Sequence, residues 1–387
     1  MNEELDPGSL AGGVLLTIHR LSQGGADRVA MLLANGFAAA GMPTAIAILR
    51  SGGEGEDVLR ALLRPDVRVV TAGPPMRSRH LELLRGRRFL RRLTEIARPD
   101  HVMASSSNMG LVTGLALGPR GGGGPLRAMK LTNPVIRPGD RGELRRAYRR
   151  GLYRFIFNRY DRIVVLTDTE RNFLARLYPQ YRDRFRTAAN PYVTDAMLGR
   201  LALGDNNAAP SILTLARMMP QKRLDRLLTA FAGSSSCDSR LIIVGDGPER
   251  PALLRLALKL GISDRVDMPG FAADVLPFLA RASLFVLSSD YEGLPAAILE
   301  ALAFNIRVVT TDCFDGAKEL LDNADGCATV PREDVSALSR AIDDSLALTA
   351  TPIGLRTIAR RYTIAAGIAA HLAIMRESSP ALPVTAR

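Results

Sequence analysis

Tryptophan is absent from the chain, and only 12 Phe and 8 Tyr occur among its 387 residues. Rings this sparse form no stacking platform, and no recognised nucleic-acid motif accompanies them, so the sequence predicts no nucleic-acid partner. Cysteine is also scarce, since only Cys237, Cys313 and Cys327 occur, and their spacing is not that of metal ligands. Three such cysteines are typical of buried thiols in a reducing compartment.

Long apolar runs are missing as well. No segment approaches the roughly 18 uninterrupted apolar residues that a membrane-spanning helix needs. The start of the chain is acidic, and its first apolar run, Val14–Ile18, is too short for a secretory signal peptide. These absences predict a cytoplasmic protein with no segment that spans a membrane.

Charge is distributed unevenly along the chain. Residues 1–200 contain 32 Lys and Arg against 18 Asp and Glu, whereas residues 201–387 contain 19 against 21. The first half therefore accounts for the whole basic excess, and its cations are almost all arginine. This asymmetry predicts that the first half faces an anionic partner while the second half has a different task.

Short apolar strands alternate with helical patterns along most of the chain, which predicts an α/β protein with parallel sheets covered on both faces. Residues 195–210 lack sustained periodicity and are interpreted as a linker. The two successions predict two Rossmann-like, doubly wound domains, residues 1–194 and 211–355, with a ligand in the cleft between them. A last periodic helix is predicted over 353–375. The predicted strands cover residues 14–18, 44–49, 67–70, 101–104, 162–167, 211–215, 241–244, 266–268, 284–287 and 306–310.

The stretch 284–302 combines a buried strand, a loop and a helix. Leu284–Leu287 has the apolar run of a parallel strand, and the helical pattern begins at Pro295, where a missing N–H costs little. The loop offers backbone N–H groups and a positive helix end to an anion. A carboxylate beside a phosphate is unfavourable, so we expect Glu292 and Glu300 to hold neutral hydroxyls. Together these features predict a nucleotide-sugar site.

Other candidate binding residues follow further predicted strands. Arg217 and Lys222 can converge on a diphosphate, the first as a fork and the second as a point charge. Gly24-Gly25 opens a helix where backbone amides can bind phosphate or an acceptor. Gly245–Pro248 lacks the third glycine of the dinucleotide fingerprint, and Phe271 is a candidate wall for a base. Taken singly, each of these features is more typical of an ordinary turn than of a site.

Two basic segments, residues 77–98 and 141–162, carry apolar residues at helical spacing among their arginines. One interpretation is a pair of solvated helices that pack through their leucines. The other is a surface for anionic lipid headgroups, which basic amphipathic helices favour. The sequence leaves both interpretations open.

The order of these features resembles that of the GT-B glycosyltransferases of family 4, a retaining group. The likeness is to bacterial enzymes that build capsule, exopolysaccharide or lipid-linked glycans, and it covers nearly the whole chain. Two positions depart from the family pattern, since Ala216 and Asp27 stand where relatives have Gly and Glu. The motifs are a glutamate pair at Glu292 and Glu300, a phosphate motif over 216–222, a Gly-x-Gly-Pro turn over 245–248, Asn190-Pro191, and a Gly-Gly-x-Glu-Arg pattern over 24–28.

The resemblance implies a role for each matching residue. Arg217 and Lys222 would neutralise the donor diphosphate as it leaves. Glu300 would hold the ribose hydroxyls, and Glu292 would hold a hydroxyl of the donor sugar without being a covalent nucleophile. The implied catalytic residues are Glu292, Arg217 and Lys222. The remaining donor contacts would come from Phe271 near the base, the backbone N–H groups of Gly293 and Leu294, and Gly24 and Gly25, which would close over the donor.

The resemblance also implies the reaction. A hexose would pass, with retention of anomeric configuration, from a nucleotide diphosphate, UDP rather than GDP, to a glycan or polyprenyl-diphosphate-linked acceptor. No metal or other cofactor is implied. No catalytic His is assigned, because Ser105–Asn108 occupy the place where many relatives carry one.

The resemblance further implies that a final helix over residues 356–387 returns to the first domain. The basic first half would dock the acceptor on an anionic membrane, so the protein would be peripheral on the inner face of the cell membrane. Two other functions stay open: a catalytically inactive GT-B protein that binds glycans, and a GT-B nucleotide-sugar epimerase. An epimerase would not need a basic domain that faces an acceptor.

Overall fold

The computed structural model describes residue 6 and residues 8–21, 25–52, 56–121, 124–136, 142–199, 210–236 and 238–377. These residues form two compact units. Of the described residues, unit 1 comprises those up to 136, residues 142–191 and residues 364–377; unit 2 comprises those that lie between 192 and 363. Each unit has its own parallel sheet and its own hydrophobic core.

Over its described residues, unit 1 is built on a seven-stranded parallel sheet in the order β3-β2-β1-β4-β5-β6-β7. The strands are β1 Val14–Ile18, β2 Thr44–Ile48, β3 Val67–Thr71, β4 His101–Ala104, β5 Leu126–Lys130, β6 Arg162–Val165 and β7 Phe185–Thr187. The helices are α1 Gly25–Ala39, α2 Glu56–Ala61, α3 Arg79–Ala97, α4 Ser107–Leu117, α5 Glu143–Phe157 and α6 Asp168–Leu177, with a 3₁₀ helix over Pro179–Arg184.

Strand β5 was not predicted, because two charged residues interrupt its apolar pattern. Both of them are buried and bonded. The Arg127 guanidinium donates to the carbonyl oxygens of Gly118 at 2.8 Å, Pro119 at 3.2 Å and Leu117 at 3.2 Å, which satisfies the end of α4. Lys130, on the other face of the strand, meets a histidine of the last helix.

The last described part of the chain differs from the predicted single helix over 353–375. It forms two helices, α14 over Leu355–Arg360 and α15 over Ile364–Arg376. Thr363, which lies between the two helices, pairs in a β-bridge with Val193, and this bridge interrupts the helical hydrogen bonding between α14 and α15. Helix α14 belongs to unit 2 and α15 to unit 1.

Helix α15 packs against several parts of unit 1. A Cβ on Gly36 of α1 would overlap the Ile368 side chain, so the glycine permits close approach of α1 and α15. Near the end of the helix, Glu377 accepts from Arg162 at 3.1 Å and from Arg186 at 2.8 Å. These contacts tie the last helix to strands β6 and β7.

Unit 2 has, among its described residues, a six-stranded parallel sheet in the order β10-β9-β8-β11-β12-β13. Its strands are β8 Ser211–Leu215, β9 Arg240–Val244, β10 Val266–Gly270, β11 Leu284–Leu287, β12 Arg307–Thr311 and β13 Ala328–Val330. Besides α14 and a 3₁₀ turn over Pro220–Lys222, its helices are α7 Asp195–Gly199, α8 Leu224–Ala232, α9 Arg250–Lys259, α10 Leu276–Arg281, α11 Ala296–Ala303, α12 Ala317–Leu321 and α13 Val335–Ala347.

Candidate functional site

The carboxyl ends of β8 and β11 lie side by side in the sheet of unit 2. The chain leaves β8 toward β9 and β10 on one side and returns to β11 on the other, so strand order reverses at this point. Doubly wound sheets bind ligands outside the carboxyl ends of the strands at such a reversal. The loops that follow the two strands, residues 216–223 and 288–295, therefore form the candidate site.

A lysine–glutamate pair joins these two loops. Lys222 Nζ donates to Glu292 Oε1 at 2.6 Å, and the Ser289 hydroxyl donates to the same oxygen at 2.7 Å. The Lys222 and Glu292 side chains are only 19% and 12% exposed, so their charges meet in a partly dry environment. The sequence assigned separate tasks to these two residues, whereas the structure places them in direct contact. Within the described chain, Glu292 Oε2 makes no hydrogen bond.

Arg217 lies in the same loop as Lys222, with an exposed side chain. The glycines of the turn after β9 pack against the backbone of this loop. A Cβ on Gly245, at φ +134°, would overlap the Ala216 carbonyl oxygen, and a Cβ on Gly247 would overlap that of Met218. The Gly-x-Gly sequence therefore permits close packing between two backbone segments, which fixes the course of the loop that carries Arg217.

The loop after β11 leads into α11 through Pro295, the N-cap residue. Over the described residues, the backbone N–H groups of Gly293 and Leu294 have no hydrogen-bond partner. Unpaired N–H groups just before a helix N-terminus are suited to bind an anion. Glu300, further along α11, is 6% exposed.

Two other predicted contacts lie at the ends of other strands. Phe271 follows β10 directly and is 60% exposed, so its ring is accessible for stacking. Gly25 is the first residue of α1 in unit 1. Gly24 lies outside the described residues, as does Cys237.

Four successive carbonyl groups of the loop after β11 accept hydrogen bonds from side chains. The Arg226 guanidinium donates to Ser288 O at 2.8 Å, and the Thr311 hydroxyl donates to Ser289 O at 2.7 Å. The Arg332 guanidinium donates to Asp290 O at 3.0 Å, and the Gln221 amide donates to Tyr291 O at 2.9 Å. Sequence reasoning assigned no role to any of these four donors: Gln221 occupies an unassigned position of the phosphate motif, and the other three lie outside the recognised motifs.

Two acidic groups near the site, a thiol and a carboxyl, have raised pKa values. Burial, with a smaller contribution from Glu292, raises the pKa of the Cys313 thiol to about 12. The thiol is therefore protonated at neutral pH and is not a nucleophile. Burial, together with the charge of Asp312, also raises the pKa of Asp315.

Ser106 and His19 lie at strand ends in the described part of unit 1. The predicted loop Ser105–Asn108 is in part the first turn of α4, and the Ser106 hydroxyl caps this helix by accepting from Met109 N at 3.4 Å. His19 follows β1 and lies 3.6 Å from Glu82. Burial lowers the pKa of His19 despite this carboxylate, so the imidazole is neutral at pH 7.

The two basic segments form helices α3 and α5, and both leave large apolar side chains exposed. On α3 these are Leu81, Leu83 and Leu84, each 44–52% exposed. On α5, Leu144 is 90% exposed and Tyr148 is 70% exposed. The predicted packing through leucines thus holds for part of α3, where Leu90 and Leu93 are buried.

No helix in the described part of the chain is both long enough and apolar enough to cross a membrane. The same residues contain no cluster of three or more His, Cys, Asp and Glu side chains that could hold a metal ion.

Comparison with protein families identifies both halves of the chain. Residues 23–196 match the model for Glycosyltransferase Family 4, and residues 202–362 match the model for Glycosyl transferases group 1. The second match contains both loops of the candidate site. The first match contains six of the seven described strands of unit 1, that is, all of them but β1.

Curated relatives include bacterial glycosyltransferases. A lipopolysaccharide core biosynthesis glycosyltransferase of Rhizobium meliloti, LpsE, is 34% identical over 139 residues, which cover 36% of this chain and 40% of that protein. A GDP-mannose-dependent phosphatidylinositol monomannoside mannosyltransferase of Mycolicibacterium smegmatis is 33% identical over 176 residues, 43% and 45% of the two chains. The chain spans only 19–51% of the length of the first curated relatives that it matches.

A solved structure has a fold similar to that of this chain. HepE of Anabaena, in complex with UDP and glucose, has a TM-score of 0.68 and 18% sequence identity, over 93% of this chain and 98% of that one. This likeness confirms the predicted GT-B class, with two parallel-sheet α/β units.

Proposed function

The chain joins a Glycosyltransferase Family 4 domain to a Glycosyl transferases group 1 domain, and we propose that it is a retaining glycosyltransferase of surface glycan synthesis. It moves a hexose from a nucleotide diphosphate to a glycan or lipid-linked acceptor. The observation that carries this proposal is the Lys222–Glu292 pair at the strand reversal of unit 2, with cations and unpaired N–H groups in the same two loops.

In this proposal the diphosphate lies against Lys222 and the exposed Arg217 guanidinium. Both groups gain from negative charge that develops on the diphosphate as the glycosidic bond breaks, so they stabilise the transition state more than the ground state. The N–H groups of Gly293 and Leu294 add neutral donors to the same anion. These groups supply what a metal ion would otherwise supply, and the proposed reaction is metal-independent.

The carboxylates hold the neutral parts of the donor. Glu300 binds the ribose hydroxyls, and Oε2 of Glu292 accepts from a hydroxyl of the donor sugar, since Oε1 already accepts from Lys222 and Ser289. In this proposal Glu292 orients the sugar and is not a covalent nucleophile. The acceptor then approaches on the face that the diphosphate leaves, which retains the anomeric configuration. The exposed Phe271 ring stacks on the base.

We propose UDP as the donor nucleotide because HepE, which shares the fold, was solved with UDP. One relative is named for GDP-mannose, so GDP is the alternative to test. Incubation of the protein with UDP and GDP sugars, with nucleotide release as the readout, identifies the donor. Turnover of at least one sugar nucleotide is expected, and it should survive excess EDTA. Loss of turnover in EDTA, reversed by a divalent cation, would contradict metal independence.

The same assay separates the other two functions. An inactive glycan-binding protein would turn over no sugar nucleotide, and calorimetric titration would show no binding of UDP or GDP. An epimerase would convert one sugar nucleotide into another without releasing the nucleotide. Release of free nucleotide, together with a glycosylated product, is the outcome that the transferase predicts.

Unit 1, which is proposed to bind the acceptor, is also proposed to dock on an anionic membrane through α5. Leu144, Tyr148 and Phe155 lie within one narrow stripe of this helix, since they are separated by four and seven residues. All three are exposed, and arginines at 145 and 154 flank the stripe. An apolar stripe between arginines is typical of a helix that lies in the headgroup region.

Liposome co-sedimentation tests this docking. The protein is expected to sediment with anionic but not with neutral vesicles, and salt should weaken the binding. The variant Leu144→Glu/Tyr148→Glu should lose it. Leu258→Glu, which changes an exposed leucine of unit 2 (71% exposed), should retain it. Equal binding by both variants would contradict docking through α5.

A further inference from the structure

Arg226 of α8 is buried, although its sequence position does not predict burial. The apolar residues of α8 recur at helical spacing and place Arg226 on the opposite, polar side of the helix. Its exposure is nevertheless only 3%. A guanidinium is costly to bury unless it is paired and fully hydrogen-bonded. The partners of this group therefore show what its burial secures.

The Arg226 guanidinium holds the loop after β11 at two points. Nη1 donates to Ser288 O at 2.8 Å, and Nη2 donates to Asp290 Oδ1 at 2.9 Å. Two bonds from one planar fork fix the orientation of the loop as well as its position. Arg223 reaches the same Asp290 oxygen at 3.3 Å, so this carboxylate balances two cations.

The segment held by Arg226 is also bonded to the loop that carries Lys222. The Ser288 hydroxyl donates to Lys222 O and to Arg223 O, both at 3.0 Å. Asp290 N donates to Gln221 O at 2.9 Å. The two loops of the site are thus joined through residues 288–290, which Arg226 anchors to the helix beneath them.

We propose that Arg226 is a positioning residue of the donor site and that it acts through Ser288 and Asp290. By fixing residues 288–290, it sets the position of Glu292, two residues later, relative to Lys222. This inference rests on the proposed function of the site. A displacement of about 1 Å at groups that orient a substrate can cost on the order of 100-fold in rate.

A matched buried arginine lies at the other end of the same sheet. Arg307, the first residue of β12, is 6% exposed and donates to Leu348 O at 2.8 Å and Ala350 O at 2.6 Å. It lies at the amino end of its strand, away from the loops that carry Lys222 and Glu292. Loss of either arginine removes a buried guanidinium from unit 2, but only Arg226 contacts the site.

The test compares Arg226→Met with Arg307→Met. Three measurements are made on each full-length variant: the thermal midpoint, steady-state turnover of the sugar nucleotide that the wild type uses, and hydrogen–deuterium exchange without ligand. Both variants should lose thermal stability. Only Arg226→Met should show faster exchange over residues 288–294 and a kcat/KM lowered by about 100-fold. Arg307→Met should keep the wild-type kcat/KM while folded.

Two further variants keep the test decisive if Arg226→Met does not fold. Arg226→Lys retains the charge but cannot make both bonds of the fork. Asp290→Ala removes the carboxylate that accepts from Nη2 of Arg226. The Asp290 side chain is 31% exposed, so its loss disturbs the core less than the loss of Arg226. Each should lower kcat/KM by more than the loss of folded protein accounts for. The combined variant Asp290→Ala/Arg226→Lys should lose less activation free energy than the sum of the losses in the two single variants.

Wild-type kcat/KM in folded Arg226→Lys and Asp290→Ala would overturn the positioning role. The positioning role would also be overturned if residues 288–294 of Arg226→Met exchanged no faster than the same residues of Arg307→Met. A wild-type chain that neither binds nor turns over UDP and GDP sugars would instead contradict the proposed function. The exchange experiment needs no nucleotide, so it tests whether Arg226 anchors the loop even if the chain uses no sugar nucleotide.

Discussion

The ammonium group of Lys222 and the carboxylate of Glu292 lie 2.6 Å apart, which joins the loops after two adjacent strands of unit 2. Lys222→Met removes the cation and leaves the carboxylate, 12% exposed, with the Ser289 hydroxyl as its one remaining side-chain partner among the described residues. The free energy of unfolding should fall by about 2 kcal/mol, because a buried charge loses its compensation. Nucleotide release should fall by more than about 100-fold, because the diphosphate loses a stabilising charge.

The double variant Lys222→Met/Glu292→Gln separates these two effects. It removes both charges, so the thermal midpoint should recover toward that of the wild type, whereas turnover should stay low. A double variant as active as the wild type would show that the pair serves stability alone.

The contact between Gly245 and Ala216 predicts a steric effect at a distance from the reacting groups. Gly245→Ala places a Cβ against the Ala216 carbonyl oxygen, so the loop that carries Arg217 must move. The free energy of unfolding should fall by roughly 3 kcal/mol and turnover should drop with it. Gly261→Ala is the control: Gly261 also has a positive φ, +68°, but its Cβ would meet nothing within 4 Å. It should cost only about 1 kcal/mol and leave kcat/KM unchanged. Equal losses in the two variants would refute the steric explanation.

The buried Lys130–His371 pair of unit 1 predicts a dependence of stability on pH. Lys130 Nζ lies 2.5 Å from His371 Nε2, which must be the acceptor because Nδ1 donates to Gly367 O. Burial lowers the pKa of Lys130 from 10.5 to about 7. Between these values the unfolded lysine binds a proton that the folded lysine does not. Raising the pH from 7 toward 10.5 should therefore increase the stability of the fold.

His371 acts in the same direction at lower pH. Burial and the neighbouring lysine hold its pKa well below 6.5, so stability is lost as the pH falls below that value. Thermal midpoints measured from pH 5 to pH 9 test both effects. The variant Lys130→Met/His371→Leu should show a smaller rise than the wild type, whereas Lys259→Met, which changes an exposed lysine of unit 2, should keep the wild-type slope. Parallel curves for all three proteins would contradict this account.

The sequence predicted well those parts of the fold where local pattern and tertiary role agree. The strands that flank the site are apolar runs, and their motifs place Lys222 and Glu292 directly after them. Strand β5 was missed because Arg127 and Lys130 make it look exposed. Their partners, the carbonyl groups at the end of α4 and the imidazole of His371, become neighbours only in the folded chain.

The same reasoning explains what was missed at the site. Arg226 has the sequence context of a surface residue, and its contacts at Ser288 and Asp290 lie more than 60 residues away. The Gly-x-Gly turn was interpreted from its own residues, although its close contacts are with Ala216 and Met218. The break between α14 and α15 likewise depends on a bridge from Thr363 to Val193, which helical periodicity does not encode.

Unit 2 is proposed to hold a sugar nucleotide through the loops after β8 and β11 and through α11. Nucleotide release from the sugar nucleotide that the wild type uses, compared between the wild type, Glu300→Gln and Glu300→Ala, tests this proposal most directly. Glu300 is buried, so the isosteric glutamine variant controls for folding, and thermal midpoints confirm that each protein is folded. We predict that folded Glu300→Ala loses turnover and that Glu300→Gln is strongly impaired. Near-normal nucleotide release by folded Glu300→Ala would contradict the account.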